Sequence, residues 1–362
     1  MEQLKRTEMK EKIILKTKSI GEQIVKHRYH LLQNHQAKKI LKSIEQQKGR
    51  TASDLIRFSD EYAKDVLEWR GYAPWLYVYS AVAEKFHEGW IPDNYYFAVV
   101  VPLIQGDYGK VSGLKSLSST IFDSSEFPDL GYYANGLFLT REQSILQENE
   151  IKKFLFKRSN TVVFKTDQSY QGKGFFLLEK NSFDPNKVKL LGNGVFQDYI
   201  DQHGFFDTLL PNSVATLRIT TITDHNGKVS VRACYLRLGR QTDTHVKSVS
   251  HIRIPVELTN GELGSLGYLP NWQAIEKHPD TQIAFSKSRV PGFTKFLSTA
   301  LKLHQLVPYV RSVGWDMILD KNENVKVMEW NGYSNDIKFS EATQGPCFKD
   351  LGWEKLSRNT GP

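Results

Sequence analysis

The stretch that most limits how this chain can fold is Gly314-Trp315-Asp316-Met317-Ile318-Leu319-Asp320, a polar turn from Lys321 to Asn324, then Val325-Lys326-Val327-Met328-Glu329-Trp330-Asn331. Two apolar, β-prone runs about a short turn read as a hairpin. A turn centred between Asn322 and Glu323 puts Asp316 opposite Glu329. Side chains alternate along a strand, so Glu329 and Asn331 share the face on which Asp316 lies, and Trp315, Met317, Met328 and Trp330 take the other. Two neighbouring carboxylates repel unless a cation sits between them, and an Asp/Glu/Asn oxygen set suits Mg2+ shared with phosphates. A solvated acidic face accounts for the same residues equally well.

With 362 residues the chain has length for two or three subdomains, and its 12% aromatic content argues against extensive disorder. Cys234 and Cys347 are the two cysteines, with no CxxC spacing, which suits a reducing cytosol. The N-terminus lacks a signal-peptide pattern, and the strongest apolar run, Phe97 to Ile104, is interrupted by Pro102 and too short to span a bilayer. The expected location is the cytoplasm. The formal charge of +8 falls in the first fifty residues, which hold 13 Lys/Arg against 5 Asp/Glu, leaving the rest balanced. With Ile13, Ile20, Ile24, Leu31, Ile40 and Ile44 at loosely helical spacing, this segment has two readings. One is an amphipathic arm that meets an anionic membrane at its inner face, or a polyanionic glycan. The simpler one is a helical appendage packed on the main body. Nucleic acid is the weakest partner, because no stacking aromatics interleave the basic residues.

Residues 1–70 read as mainly helical, with a break and N-cap within Gly49 to Asp54. From 75 to 160, helices mix with short apolar runs such as Tyr95 to Val101 and the strand-like Gly136 to Leu139. Strands dominate from 161 to 260: Thr161 to Lys165, Gly174 to Glu179, Gly194 to Ile200, Thr216 to Thr223 and Val229 to Leu238. Asp224-His225-Asn226-Gly227 and Thr259-Asn260-Gly261-Glu262 are turn signals. A helix over Phe293 to His304 leads into the acidic hairpin. The pattern is α+β, with antiparallel sheets and helices in separate runs.

Within this frame, Val162-Val163-Phe164-Lys165 and Gly174-Phe175-Phe176-Leu177-Leu178 flank the loop Ser169-Tyr170-Gln171-Gly172-Lys173-Gly174. Its small residues let backbone N–H groups approach a phosphate, and Lys165 adds a point charge. It is not a Walker A motif, and a plain hairpin turn is the ordinary use of such a loop. Val195-Phe196-Gln197-Asp198-Tyr199-Ile200 is an edge-like segment able to hydrogen-bond an adenine edge. Arg218, in a β-branched strand after Leu210-Pro211-Asn212-Ser213-Val214-Ala215-Thr216, is costly to bury unless it meets an anion, and Arg237 repeats the pattern one strand later. A solvent-facing arginine is the alternative.

Taken in order, the Val-Phe-Lys strand with its Gln-Gly-Lys-Gly loop, Gln197-Asp198-Tyr199-Ile200, Pro211 to Arg218, Gly314-Trp315-Asp316 and Glu329-Trp330-Asn331 resemble the ATP-grasp superfamily, closest to its sugar-transfer-associated branch. Gly89-Trp90-Ile91-Pro92-Asp93, His278-Pro279-Asp280 and Val290-Pro291 fit the same branch, so the resemblance covers roughly residues 75–350. It implies a two-lobe antiparallel sheet architecture behind a helical N-terminal extension. The segments would be an extension over 1–74, an α/β subdomain over 75–160, a small lobe with phosphate loop and adenine hinge over 161–205, and a C-terminal lobe over 206–362. The resemblance assigns ATP to Lys115, Lys165, Ser169, Gln171, Gly172, Gly174, Gln197, Asp198, Tyr199 and Ile200. It assigns one or two Mg2+ ions to Asp316, Glu329 and Asn331, and the transferred phosphoryl group to the cations Arg218, Arg237 and Lys173.

Phosphoryl transfer depends on positioning and charge neutralisation, so no nucleophilic triad is required, and none is evident. The implied activity is ligation of an amine to a carboxylate through an acyl phosphate, with an amino acid or amine placed on a uronic-acid-containing surface polysaccharide or its precursor. A phosphotransferase or a non-catalytic nucleotide-binding scaffold in glycan assembly is the alternative. The chain departs from the branch where an Asp-Asn and a Gly-Gly segment are usual: Thr242 to His251 stands there instead. His245, Lys247, Ser248 and His251 would suit an anionic substrate, and a solvated loop explains them as well.

Overall fold

The computed structural model describes residues 2–169, 174–211, 215–240 and 250–359, with the backbone alone for 2–20, 22 and 359. The chain divides into two compact units, one made of Met1–Val100 with Glu341–Pro362 and the other of Val101–Ser340.

In the first unit, α1 runs over Glu2–Lys48, α2 over Ser53–Asp65 and α3 over Ala73–Ala83. The expected break falls between α1 and α2, where Gly49 takes a positive φ of 88° and Ala52 is the N-cap. The C-terminal half of α1 packs on α3 through Ala37, Ile40 and Ile44, while Ile24, Val25, Leu31 and Leu32 are exposed. The apolar run Tyr95 to Val101 is helical. The Gly-Trp-Ile motif is tied to Glu341, whose carbonyl accepts from the Trp90 indole at 2.8 Å. The Glu341 carboxylate accepts from the amides of Ile91 and Cys347, each at 2.7 Å. Burial pushes this carboxyl up to about 7. No helix among the described residues is long and apolar enough to cross a membrane.

The second unit holds two antiparallel sheets, which gives the α+β class the sequence led to expect. The smaller has β1 (Asp129–Ala134), β2 (Leu137–Thr140), β3 (Ile145–Leu146), β4 (Thr161–Thr166), β5 (Phe175–Glu179) and β6 (Gly194–Asp198) in the order β3-β2-β1-β6-β4-β5. It thus joins strands from the 75–160 segment to those of 161–205. One face carries Tyr133, Phe138, Val162, Phe164 and Phe196, closed over by the helices Glu148–Leu155 and Pro185–Leu191 through Ile151, Leu155 and Val188. Period-two alternation leaves Lys165, Val195 and Gln197 on the opposite face, and the register shift between Asp129 and Gly131 brings Asp129 there beside Gln197.

The larger sheet has β7 (Thr216–Thr223), β8 (Val229–Leu238), β9 (Ile252–Pro255), β10 (Gly267–Tyr268), β11 (Ala274–Ile275), β12 (Ser312–Leu319) and β13 (Val325–Asn331) in the order β11-β10-β9-β8-β7-β12-β13. Leu217, Ile219, Cys234, Leu236, Ile252, Ile254, Trp315, Met317 and Trp330 pack beneath the helix Phe293–His304 into the main core. At about 1.5–3 kcal/mol for each large apolar side chain buried, this face fixes the register of everything on the other.

Gly314 faces Asn331, Trp315 faces Trp330 and Asp316 faces Glu329, as the hairpin reading expects. Beyond Asp316 the register shifts, so that Met317 faces Val327 and Leu319 faces Val325. The turn is therefore one residue away from the symmetric one, and a bulge at Met328 compensates.

Candidate active site

The functional face of the larger sheet is built by cross-strand register. One row runs Glu329, Asp316, Arg218, Tyr235, Pro255 across β13, β12, β7, β8 and β9, and the neighbouring row runs Thr216, Arg237, Arg253, Tyr268 across β7 to β10. Charged side chains thus replace the apolar ones found on the core face of the same strands.

Asp316 is the hub. Its Oδ1 accepts from Arg218 Nε at 2.5 Å, and its Oδ2 accepts from Arg218 Nη2 at 2.9 Å and lies 2.7 Å from Arg237 Nη2. Burial alone would push this carboxyl up, but the two guanidinium groups outweigh it and hold it at about 2. Burial works against the Arg218 charge, and Asp316 reverses that effect, raising its pKa. Arg237 Nε also donates to Thr216 Oγ1 at 3.0 Å. Gly314 is required beside this group, because a Cβ there would meet Asn335 Oδ1 at 2.2 Å.

The smaller sheet supplies the second half. Lys165 Nζ donates to the Met328 carbonyl at 2.9 Å, and the Met328 bulge sits one residue from Glu329. Burial lowers the Lys165 pKa to about 8, with Glu329 and Asp129 pulling it back up. Lys115, from the turn before the helix Ser118–Phe122, donates to Ser169 O at 2.9 Å and to Ser169 Oγ at 3.2 Å, and its Nζ lies 3.6 Å from Glu329 Oε1. That turn is held in place by Asp167, whose carboxylate accepts from the Ser116 amide at 3.0 Å and hydroxyl at 2.7 Å. A lysine of the smaller sheet and one from the turn before Ser118–Phe122 thus converge on the acidic hairpin of the larger sheet. Gly174 closes the base of the loop, where a Cβ would meet Ser169 Oγ and Thr166 Oγ1, each at 2.2 Å.

Of the remaining expected residues, Gln197 is buried and donates to Asp129 Oδ1 at 2.8 Å, with its own Oε1 left without a partner. Burial raises the Asp129 and Asp198 carboxyls. Tyr199 is exposed and Ile200 half-buried just past β6. Gln171, Gly172, Lys173, Asn212, Ser213, Val214, His245, Lys247 and Ser248 lie outside the described residues. Sequence reasoning missed Asp129, Asp336 and Arg253. Arg253 alone carried a usable signal, as a third arginine in a β-rich run.

The hairpin's oxygens fit a hard cation. Glu329 is about a third exposed, and Asn331 donates its amide to Gly314 O at 3.2 Å, leaving its Oδ1 with no partner among the described residues. Asp316 Oδ1 accepts once, and a carboxylate oxygen has two lone-pair directions, so one remains. Among the described residues no group of three His, Cys, Asp or Glu side chains is assembled for a metal, so any such site needs the amide oxygen.

Residues 182–351 match the family model described as sugar-transfer associated ATP-grasp. That span, just under half of the chain, is similar to the ATP-grasp family. It takes in Gln197, Arg218, Arg237, Asp316, Glu329 and Asn331, while Lys115 and Lys165 precede it. Among solved structures the chain is similar to the biotin carboxylase domain of 2-oxoglutarate carboxylase from Hydrogenobacter thermophilus, at 14% identity over 70% of this chain and 47% of that one, with a TM-score of 0.42. It is also similar to N5-carboxyaminoimidazole synthetase from Staphylococcus aureus, at 12% identity over 72% and 55%, with a TM-score of 0.44. Biotin carboxylase from Campylobacter jejuni is 13% identical over 90% and 69%, with a TM-score of 0.44. The chain spans about half the length of the first solved structures it matches. No curated protein matches it.

Proposed function

We propose that this protein is an ATP- and Mg2+-dependent ligase that joins an amine to a carboxylate. The observation that supports this is the convergence of Lys115 and Lys165 on Glu329 and Met328, beside an Asp316 that keeps two guanidinium groups aligned. Lys165 and Lys115, with the loop between Ser169 and Gly174, hold the phosphates of ATP, and Gln197 to Ile200 line the adenine. Asp316, Glu329 and Asn331 hold Mg2+, which when bound neutralises phosphate charge.

In the reaction a substrate carboxylate oxygen attacks the γ-phosphorus and ADP leaves. The amine then attacks the acyl carbon, phosphate leaves with the C–O bond electrons, and the nitrogen loses a proton to solvent. Arg218 and Arg237 face the charge that develops on the transferred phosphoryl group and on the tetrahedral oxyanion, with no solvent reorganisation needed. The branch to which the family description points makes a uronic-acid sugar the first carboxylate to try.

The test is turnover of the purified chain with ATP, Mg2+ and matched carboxylate–amine pairs. A ligase releases ADP and inorganic phosphate together. ADP with a stable phosphorylated product and no free phosphate would make it a phosphotransferase. No ATP consumption with any pair, together with no Mg2+-dependent binding of an ATP analogue, would end the catalytic reading.

A further inference from the structure

Among the described residues, Arg253 is a buried charge that the proposed reaction does not explain. It sits on β9 directly across from Arg237, on the functional face, and is only 7% exposed. Trp272 and Phe339 flank its guanidinium, each ring centroid 4.6 Å away. Such contacts stabilise a desolvated cation but satisfy none of its in-plane N–H groups. One of these reaches Leu269 O at a long 3.4 Å, and Nε has no partner among the described residues. Burial lowers the Arg253 pKa, so its charge is held at a cost. Asp336 pulls in the other direction, but its carboxylate is engaged by Lys338 at 2.9 Å. Asp316 is already shared between Arg218 and Arg237. Among the described residues, Asp316 and Asp336 are thus both taken up by other cations, and a buried charge left without an ionic partner is costly.

A second observation points to the same place. Trp272 stands at φ 70°, a left-handed conformation that a bulky side chain rarely adopts. Its turn is closed by its own amide donating to Leu269 O at 2.8 Å, the same carbonyl that Arg253 approaches. In this turn the indole lies 4.6 Å from the guanidinium.

We propose that Arg253 is a binding residue for the carboxylate-bearing substrate, its N–H edge taking a planar carboxylate on a partly desolvated surface one strand away from Arg237. Identifying that anion as a substrate group rests on the ligase reading, whereas the existence of an anion subsite does not. A guanidinium edge donates two parallel hydrogen bonds to a carboxylate, which lysine cannot reproduce.

The experiment is thermal denaturation of the full chain titrated with malonate, against sodium chloride at matched ionic strength, for wild type, Arg253→Met and Arg253→Lys. Saturable stabilisation of the wild type by malonate, with the apparent Kd at least tenfold weaker in both variants, is the expected result. The Mg2+–ATP-analogue shift is expected to stay unchanged in all three. The ligand-free Arg253→Met protein should be as stable as the wild type or more so, since an uncompensated charge has gone. A malonate response equal in wild type and variants, or none in the wild type, overturns the proposal. So does an Arg253→Met protein that is less stable and keeps the wild-type malonate response, because Arg253 would then be structural only. If Arg253→Met fails to fold, Arg253→Lys decides. An intact malonate response with no ATP-analogue shift in the wild type would leave the anion subsite standing and remove the ligase reading.

Discussion

Asp316 and Arg218 face one another across β12 and β7 and meet through two hydrogen bonds of 2.5 and 2.9 Å, with Arg237 reaching the same carboxylate at 2.7 Å. The three groups are nearly solvent-free, so the geometry that aligns two arginines for an incoming anion also determines how the protein responds to acid.

Replacing Asp316 by Asn would leave two buried guanidinium groups with no carboxylate, and removal of one partner from such a pair costs about 3–5 kcal/mol. The folded-state pKa of about 2 lies below the ordinary value, so this stabilisation is complete above about pH 4 and is lost as the pH falls through about 2. Denaturation curves should show the gap between wild type and Asp316→Asn narrowing from pH 4 to pH 2. A gap independent of pH would mean that the carboxylate charge does not hold the arginines.

Glu329→Gln should behave differently, because Glu329 is about one-third exposed and its nearest described cation, Lys115 at 3.6 Å, is beyond hydrogen-bond range. The expected change in stability is within about 1 kcal/mol. Mg2+-dependent ATP consumption should nevertheless disappear. Normal Mg2+ dependence in this variant would move the metal away from the β12–β13 hairpin.

Gly174→Ala tests the base of the loop proposed to hold phosphate. The new methyl would collide with Ser169 and Thr166, and overpacking of this kind costs about 1–3 kcal/mol. Ser169 carries the two acceptors that hold Lys115, so affinity for an ATP analogue should fall at least tenfold, measured by calorimetry at a temperature where the variant is fully folded. Unchanged affinity would separate Lys115 from the nucleotide.

How far the sequence reaches is seen best at the hairpin. Hydrophobic alternation placed Trp315 and Trp330 on one face and Asp316 opposite Glu329, because a slip of one residue would expose two tryptophans. The bulge at Met328 escaped, since a bulge is set by what lies beyond the strand, here Lys165 of the other sheet seeking the Met328 carbonyl. Strands β7 and β8 and the helix Phe293–His304 were legible to the residue, being long and periodic. Strands β9 to β11 were not, because two to four residues carry too little pattern and are held by their neighbours. Lys115 illustrates the same limit at the site. Its local surroundings are unremarkable, and only the packing of two segments 54 residues apart brings it to Ser169. Arg218 and Arg237 were readable as arginines in β-branched strands, but that they share one carboxylate depends on the order β8-β7-β12, which no local pattern encodes.

Lys165 gives the prediction that joins both sheets. Burial lowers its pKa to about 8, so the folded state releases this proton before the unfolded chain does. Between about pH 8 and 10.5 the unfolded chain binds more protons, and this residue's contribution makes stability rise with pH across that window. Binding runs the other way: a neutral amine loses its attraction for phosphate, so affinity for an ATP analogue should weaken between pH 7 and pH 9. Lys165→Arg keeps its charge throughout and should show no such decline, even if its affinity at pH 7 is lower because the guanidinium fits the Met328 carbonyl poorly. Calorimetric titrations at the two pH values, with Lys165→Met as the uncharged reference, decide the matter. A pH decline that persists in Lys165→Arg would assign the titrating group elsewhere and leave Lys165 as a strut between the sheets.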